Sequence, residues 1–186
     1  MEISDKRILL LLENPATKEK GFELLVQKYT ARIYSLVRKM VIIHDDTEDL
    51  VQDIFLKIWI NIQSFRGDSE LFTWIYRIAY NETINFLNKK NKRFFIPVDD
   101  YQMLQLQTVE NDAFFSGDTI EKRLQKALTQ LPPKQKAIFE MRYFENMKHQ
   151  DIAEILNISL GNVKSQYHNA VEKIKKFVKI ELPSDD

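Results

Sequence analysis

Residues 148–173 read KHQDIAEILNISLGNVKSQYHNAVEK, and the punctuation of this stretch decides the fold class. Ile152, Ala153 and Leu156 fall at helical spacing and form the inner face of a short helix. Ala153 is small at the point where two helices must cross closely. Asn157 follows, one of the few non-glycine residues that tolerates the left-handed conformation of a tight helix exit. Ile158 plugs the turn, and Ser159 caps the next helix. In that helix Leu160, Val163, Tyr167, Ala170, Ile174 and Phe177 repeat as a core stripe. Its outer side carries Asn162, Lys164, Ser165, Gln166, His168, Asn169 and Lys173, donors and acceptors suited to base edges and phosphates on a helix that fits a major groove. A hairpin with a merely solvated polar face is the plain alternative. The coincidence of small residue, asparagine turn, cap and local basic excess favours DNA. His168 has no partner at ligand spacing, since His44 and His149 are far from it, so it reads as solvated rather than metal-bound.

Outward from this hairpin the pattern stays helical. A helix over 120–130 ends at Leu131-Pro132-Pro133, where the second proline suits the first turn of a new helix over 134–144, with Ile138, Met141 and Arg142 spaced for one face. A long helix over 160–178 closes the chain. The first half holds four more helices: 3–12, 21–41, 47–62 and 70–90. The second has Leu25, Tyr29, Ile33, Leu36, Val37 and Met40 at helical spacing; the third has Leu50, Val51, Ile54, Phe55, Ile58 and Ile62. His44-Asp45-Asp46 stops one helix and caps the next, with acids where the helix dipole favours them. Gly67 breaks the chain, and Asp68 or Ser69 caps the fourth helix. The stretch 91–119 has no clean period and reads as a linker with at most one turn around 103–106. The fold class expected is all-α: two small helical domains, 1–93 and 119–186, joined by an acidic linker over 94–118.

Composition narrows the function. The chain of 186 residues has a formal net charge of +0, but the distribution is uneven. Between 94 and 118 stand Asp99, Asp100, Glu110, Asp112 and Asp118 with no Lys or Arg. Before it lies Lys89-Lys90-Asn91-Lys92-Arg93, and basic residues outnumber acids over 122–179. Neutrality thus hides two candidate polyanion surfaces around an acidic joint. The absence of cysteine excludes disulfides, thiolate metal sites and thiol nucleophiles, and suits a reducing cytosol. No apolar run is long enough for a signal peptide core or a membrane span, so a cytoplasmic protein without membrane insertion is expected. No nucleophile or phosphate loop accompanies the acids of the third helix, so an enzyme is not expected, and neither is a cofactor.

Two further surfaces stand out. Over 65–81, Phe65, Phe72, Trp74, Tyr76 and Tyr80 interleave with Arg66, Arg77 and Asn81. Aromatic, arginine and amide residues together are what an unstacked base needs, although aromatics at helical spacing also serve as core. On the third helix Asp46, Glu48, Asp49, Gln52, Asp53, Lys57 and Asn61 leave a polar face, explained equally by solvation or by a partner protein.

These residues resemble a known family. DTEDLVQDIFLKIW over 46–59 is similar to the polymerase-binding helix of extracytoplasmic-function (ECF) sigma factors of the sigma-70 family. FRGDS over 65–69 with TWIYRIAYN over 73–81 looks like their promoter-melting segment, and LPPKQ over 131–135 with 152–170 resembles their second domain. The resemblance implies a sigma factor that binds core RNA polymerase, reads and opens the promoter −10 element through region 2, and reads double-stranded −35 DNA through region 4. It implies −10 contacts at Phe65, Trp74, Tyr76, Arg77 and Asn81, with Phe65, Tyr76 and Asn81 forming a pocket for a flipped base. It implies −35 contacts at Lys164, Ser165, Gln166, His168 and Asn169, polymerase contacts at Asp49, Gln52 and Asp53, and an anti-sigma factor as a further partner. Gln166 and Asn169 stand where the family often has arginine, and Asn157 where it often has glycine. The alternative is a conventional helix-turn-helix regulator acting beside the sigma subunit, which predicts an αβ or ligand domain upstream, where 1–90 reads all-helical.

Overall fold

In the computed structural model, which describes residues 3–94, 98–115 and 119–181, every regular element is a helix: α1 Asp5–Glu13, α2 Lys18–Val41, α3 His44–Asn61, α4 Leu71–Phe94, α5 Val98–Asn111, α6 Thr119–Thr129, α7 Pro133–Tyr143, α8 His149–Leu156 and α9 Leu160–Glu181, with short 3-10 turns at Ile62–Ser64 and Ala113–Phe115. The chain divides into two compact units, 1–86 and 87–186.

In the first unit α2 packs against both α1 and α3. The periodic residues of α2 and α3 are all buried, from Leu25 to Met40 and from Leu50 to Ile58, because each stripe faces its neighbour. Asp5 fastens the start of α1 to α2: the Tyr29 hydroxyl and the Lys28 ammonium both donate to Asp5 Oδ1, at 2.7 and 2.6 Å. Burial, followed by this bond to a carboxylate, raises the Tyr29 pKa. α2 starts three residues before the sequence pattern indicates, so Gly21 lies inside its first turn. A Cβ there would meet Leu11 Cβ and the Leu12 nitrogen at 2.9 Å, so this glycine permits two helices to touch rather than opening one.

Two punctuation marks differ from expectation, and a third agrees. His44, Asp45 and Asp46 lie within α3, because the chain already turns at Ile42 (φ 71°) and Ile43 precedes the helix, its carbonyl accepting from the Thr47 N–H. Glu70, not Asp68 or Ser69, precedes α4: its carbonyl takes the Trp74 N–H, and the Ser69 hydroxyl also donates to it. Gly67 does supply the break, at φ +76°.

The second unit contains the largest departure. The expected irregular linker holds α5, a helix of 14 residues packed on α6. Val109 and Gln105 are buried, Lys126 pairs with Glu110 at 2.6 Å, and Lys122 Nζ donates to the Glu110 carbonyl. The Lys126 hydrogen bond and charge hold the Glu110 carboxyl below its usual pKa. Cations of a neighbouring helix thus neutralise part of the acidic joint, a compensation invisible to local pattern. Ala127, Leu128, Leu131, Phe139, Ala170 and Ile174 form the core of this unit, joining α6, α7 and α9. α7 is buried from Gln135 to Met141 on all sides rather than along one face. Arg142 instead ties the α7–α8 turn, donating to the Met147 carbonyl at 2.9 Å.

Candidate nucleic-acid interface

The helix-turn-helix forms as its punctuation predicts. Asn157 is left-handed at φ 51° and ψ 52°, and the next N–H, of Ile158, donates back to the Ala153 carbonyl at 3.0 Å. The Asn162 N–H donates to the Ser159 hydroxyl at 3.2 Å, the cap expected for α9. Ile152 and Ala153 are buried as expected, but Ile155 is the third core residue and Leu156 is only half-buried. Val163, Ala170 and Ile174 carry the α9 stripe, whereas Leu160 remains 37% exposed at the first turn.

Lys164, Ser165, His168 and Asn169 are exposed along one side of α9, and Gln166 is half-buried beside them. Beneath this surface the His149 ring meets Tyr167 edge-on at 5.6 Å. Desolvation, then the charges of Arg142 and Lys164, lower the His149 pKa and favour the neutral ring. The exposed side therefore offers hydroxyl, amide, imidazole and ammonium groups in a row, without a carboxylate from 159 to 171 to repel phosphate.

The aromatic block separates into a hollow and a core. Ser64, Phe65, Arg66, Asp68, Ser69, Trp74 and Arg77 line a cavity of about 370 Å³. Phe65 and Trp74 meet edge-to-face at 5.6 Å, so one ring edge is fixed against the other ring's face. Arg77 Nε is buried without a hydrogen-bond partner among the described residues, a donor available to an incoming acceptor. Tyr76 departs from expectation. It is 0% exposed, its ring lies 4.3 Å from that of Phe72, and the Arg32 guanidinium sits over both rings. Helical periodicity turns residue 76 inward when 74 and 77 face the hollow, so Tyr76 belongs to the core. Asn81 is exposed on α4 and is not among the residues lining the hollow.

On α3 the residues Asp49, Gln52 and Asp53 are exposed and share one face. Lys57, grouped with them in the sequence, is drawn instead to Glu82 of α4. Leu56 and Ile60, 57% and 68% exposed, complete that face. Sequence reading missed both, because a search for one apolar stripe passes over a second, shorter one; their spacing of three and seven from Asp53 was the available signal.

Two family models match the chain: "Sigma-70 region 2" over residues 25–93 and "Sigma-70, region 4" over 121–174. The RNA polymerase sigma-H factor of Pseudomonas aeruginosa is 31% identical over 174 residues, covering 85% of this chain and 86% of that protein. The ECF RNA polymerase sigma factor SigW of Bacillus subtilis is 28% identical over 167 residues, covering 85% and 89%. Among solved structures, CnrH in complex with the cytosolic domain of CnrY is similar with a TM-score of 0.68 at 17% identity, covering 96% of this chain and 100% of that one. The sigma factor RpoE in complex with the anti-sigma factor NepR from Bartonella quintana has a TM-score of 0.67 at 21% identity, covering 88% and 99%.

Proposed function

The chain belongs to the sigma-70 family, in its ECF group, and on that premise we propose how its surfaces divide the work of promoter-specific transcription initiation. It binds core RNA polymerase and directs it to promoters. Single-chain possession of regions 2 and 4, in that order and over most of the length, carries this conclusion. A conventional helix-turn-helix regulator is not favoured, because residues 25–93 match region 2 and every regular element among the described residues of the first unit is a helix.

α9 enters the major groove of the −35 element, with Lys164 on phosphate and Ser165, Gln166, His168 and Asn169 toward base edges. The hollow between Phe65, Trp74 and Arg77 receives an unstacked −10 base: the rings offer faces to stack on and the guanidinium offers a donor. Asn81 lies outside this hollow and meets a neighbouring nucleotide. The α3 face of Asp49, Gln52, Asp53, Leu56 and Ile60 docks on polymerase, its two exposed apolar residues serving as the dry centre of a polar rim. The role is one of binding, with no reaction and no cofactor assigned. Since polymerase and chromosome share the cytoplasm, that is the proposed location; no helix among the described residues is long and apolar enough to cross a membrane. An anti-sigma factor is a proposed partner, supported by the fold shared with the RpoE that was solved with one.

The test is reconstitution. The protein, core polymerase and a supercoiled promoter library should yield transcripts with specific start sites. DNA binding by the protein alone, with neither transcripts nor polymerase binding, would overturn the assignment.

A further inference from the structure

Behind the exposed side of α9 lies a directional chain of three polar side chains. Gln135 of α7 is buried at 9% exposure, and both ends of its amide are engaged. Lys173 Nζ donates to Gln135 Oε1 at 3.0 Å, and Gln135 Nε2 donates to Gln166 Oε1 at 2.9 Å. The order is imposed by chemistry. An ammonium has donors and no acceptor, so it must meet the oxygen end of the Gln135 amide. That places the Gln135 NH2 toward Gln166, and an NH2 group must in turn meet an oxygen. Amide ends are ordinarily assigned from their partners, and here the lysine removes the ambiguity. Gln166 is left with its own NH2 directed away from Gln135, and among the described residues that group has no hydrogen-bond partner.

We propose that Gln135 is a specificity-positioning residue: it fixes the polarity of the Gln166 amide, so that Gln166 meets the −35 major groove as a hydrogen-bond donor. A donor set against the 6-position of a purine or the 4-position of a pyrimidine selects keto bases, guanine through O6 and thymine through O4, over the amino groups that adenine and cytosine place there; the N7 acceptor common to both purines gives no such choice. The two-bond adenine contact otherwise open to glutamine needs Oε1 turned to the groove, and here Oε1 is turned to Gln135. The inference rests on the reading that Gln166 faces bases, and it deepens that reading by naming which base edges it takes.

A promoter library randomised through the −35 element, transcribed by the reconstituted holoenzyme and sequenced, tests the polarity directly. The native protein should prefer G or T over A or C at one position by roughly tenfold, the scale of one good base-edge contact. Gln166→Ala should flatten that position alone. Gln135→Glu is the decisive variant. Its carboxylate accepts from Lys173 but cannot donate to Gln166, so it draws the Gln166 NH2 inward and turns Oε1 outward, and the preference should invert toward A or C. Gln135→Leu removes both bonds and should flatten the position without inverting it, which keeps the inference testable should the carboxylate impair folding. A merely structural role for Gln135 would lower transcription from all sequences evenly, and that outcome overturns the proposal. If Gln166→Ala flattens one position while Gln135→Glu leaves it preferring G or T, the base contact stands and the polarity relay fails. If Gln166→Ala changes no position, the base-facing reading itself fails, and the relay with it.

Discussion

At Asn157 a single backbone angle holds the DNA-binding hairpin together. Its φ of 51° is costly for most side chains and free for glycine. Asn157→Gly should leave the stability of the protein within a few tenths of a kcal/mol, whereas Asn157→Val should cost about 1–2 kcal/mol, read by urea denaturation. Lys136 gives a second residue-scale prediction. It is 5% exposed in the buried α7, one turn from Glu140 at 2%. Burial lowers its pKa to about 8, with the Glu140 charge acting in the opposite direction. An unfolded lysine keeps its proton to about pH 10.4. Between these values the unfolded chain binds the proton that the folded chain has released, so raising the pH favours folding. Relative to Lys136→Met, the native protein should gain stability between about pH 8 and pH 10, with a slope approaching 1.4 kcal/mol per pH unit at most. Equal pH profiles for the two would contradict a buried, pKa-lowered lysine. Pattern alone gives no hint of this burial, because a lysine in a helix is expected to reach water.

Among elements, the α1–α2 crossing and the α9 surface are the places where one substitution speaks for a whole helix. Gly21→Ala places a methyl against the Leu12 backbone, which cannot yield as a flexible side chain would. The expected loss is about 1–3 kcal/mol, seen as a lower melting temperature of the first unit with the second unit's transition unchanged. On α9, Lys164→Ala should weaken −35 binding uniformly across sequences and reduce the slope of log affinity against log salt by about 1. An unchanged slope would remove Lys164 from the phosphate contacts. α2 and α3 were legible in the sequence through their apolar stripes, and α8 and α9 through stripe, turn residue and cap together, because these are local signals. α5 was not. Its apolar residues over 98–111 follow no single clean stripe, and the helix is held by packing on α6 and by the Glu110–Lys126 pair. Tertiary context of this kind overrides weak local preference.

For the molecule as a whole, the division of labour predicts defects that separate. Phe65→Ala with Trp74→Ala removes both rings from the 370 Å³ hollow, and should reduce open-complex formation by roughly tenfold or more. Permanganate reactivity of the opened strand reports this, and core polymerase affinity should stay within about twofold. Leu56→Asp with Ile60→Asp should produce the converse, lost polymerase affinity with an unaltered base preference in whatever transcription remains. Equal loss of both functions in either variant would contradict the assignment of separate surfaces. By itself the sequence determined the all-helical class, the two-part organisation, the helix-turn-helix and the exposed row from Lys164 to Asn169. Those properties depend on neighbours within a turn or two of helix, where spacing and backbone preference are written in adjacent residues. Only the tertiary structure decided that Tyr76 is core, that the acidic joint holds a helix, and that Leu56 and Ile60 extend the α3 face. It alone joined Gln135 to Gln166 and Lys173, across 31 and 38 residues of chain. Such contacts arise where helices pack, and no periodicity in the sequence specifies which side chain of one helix will meet which of another.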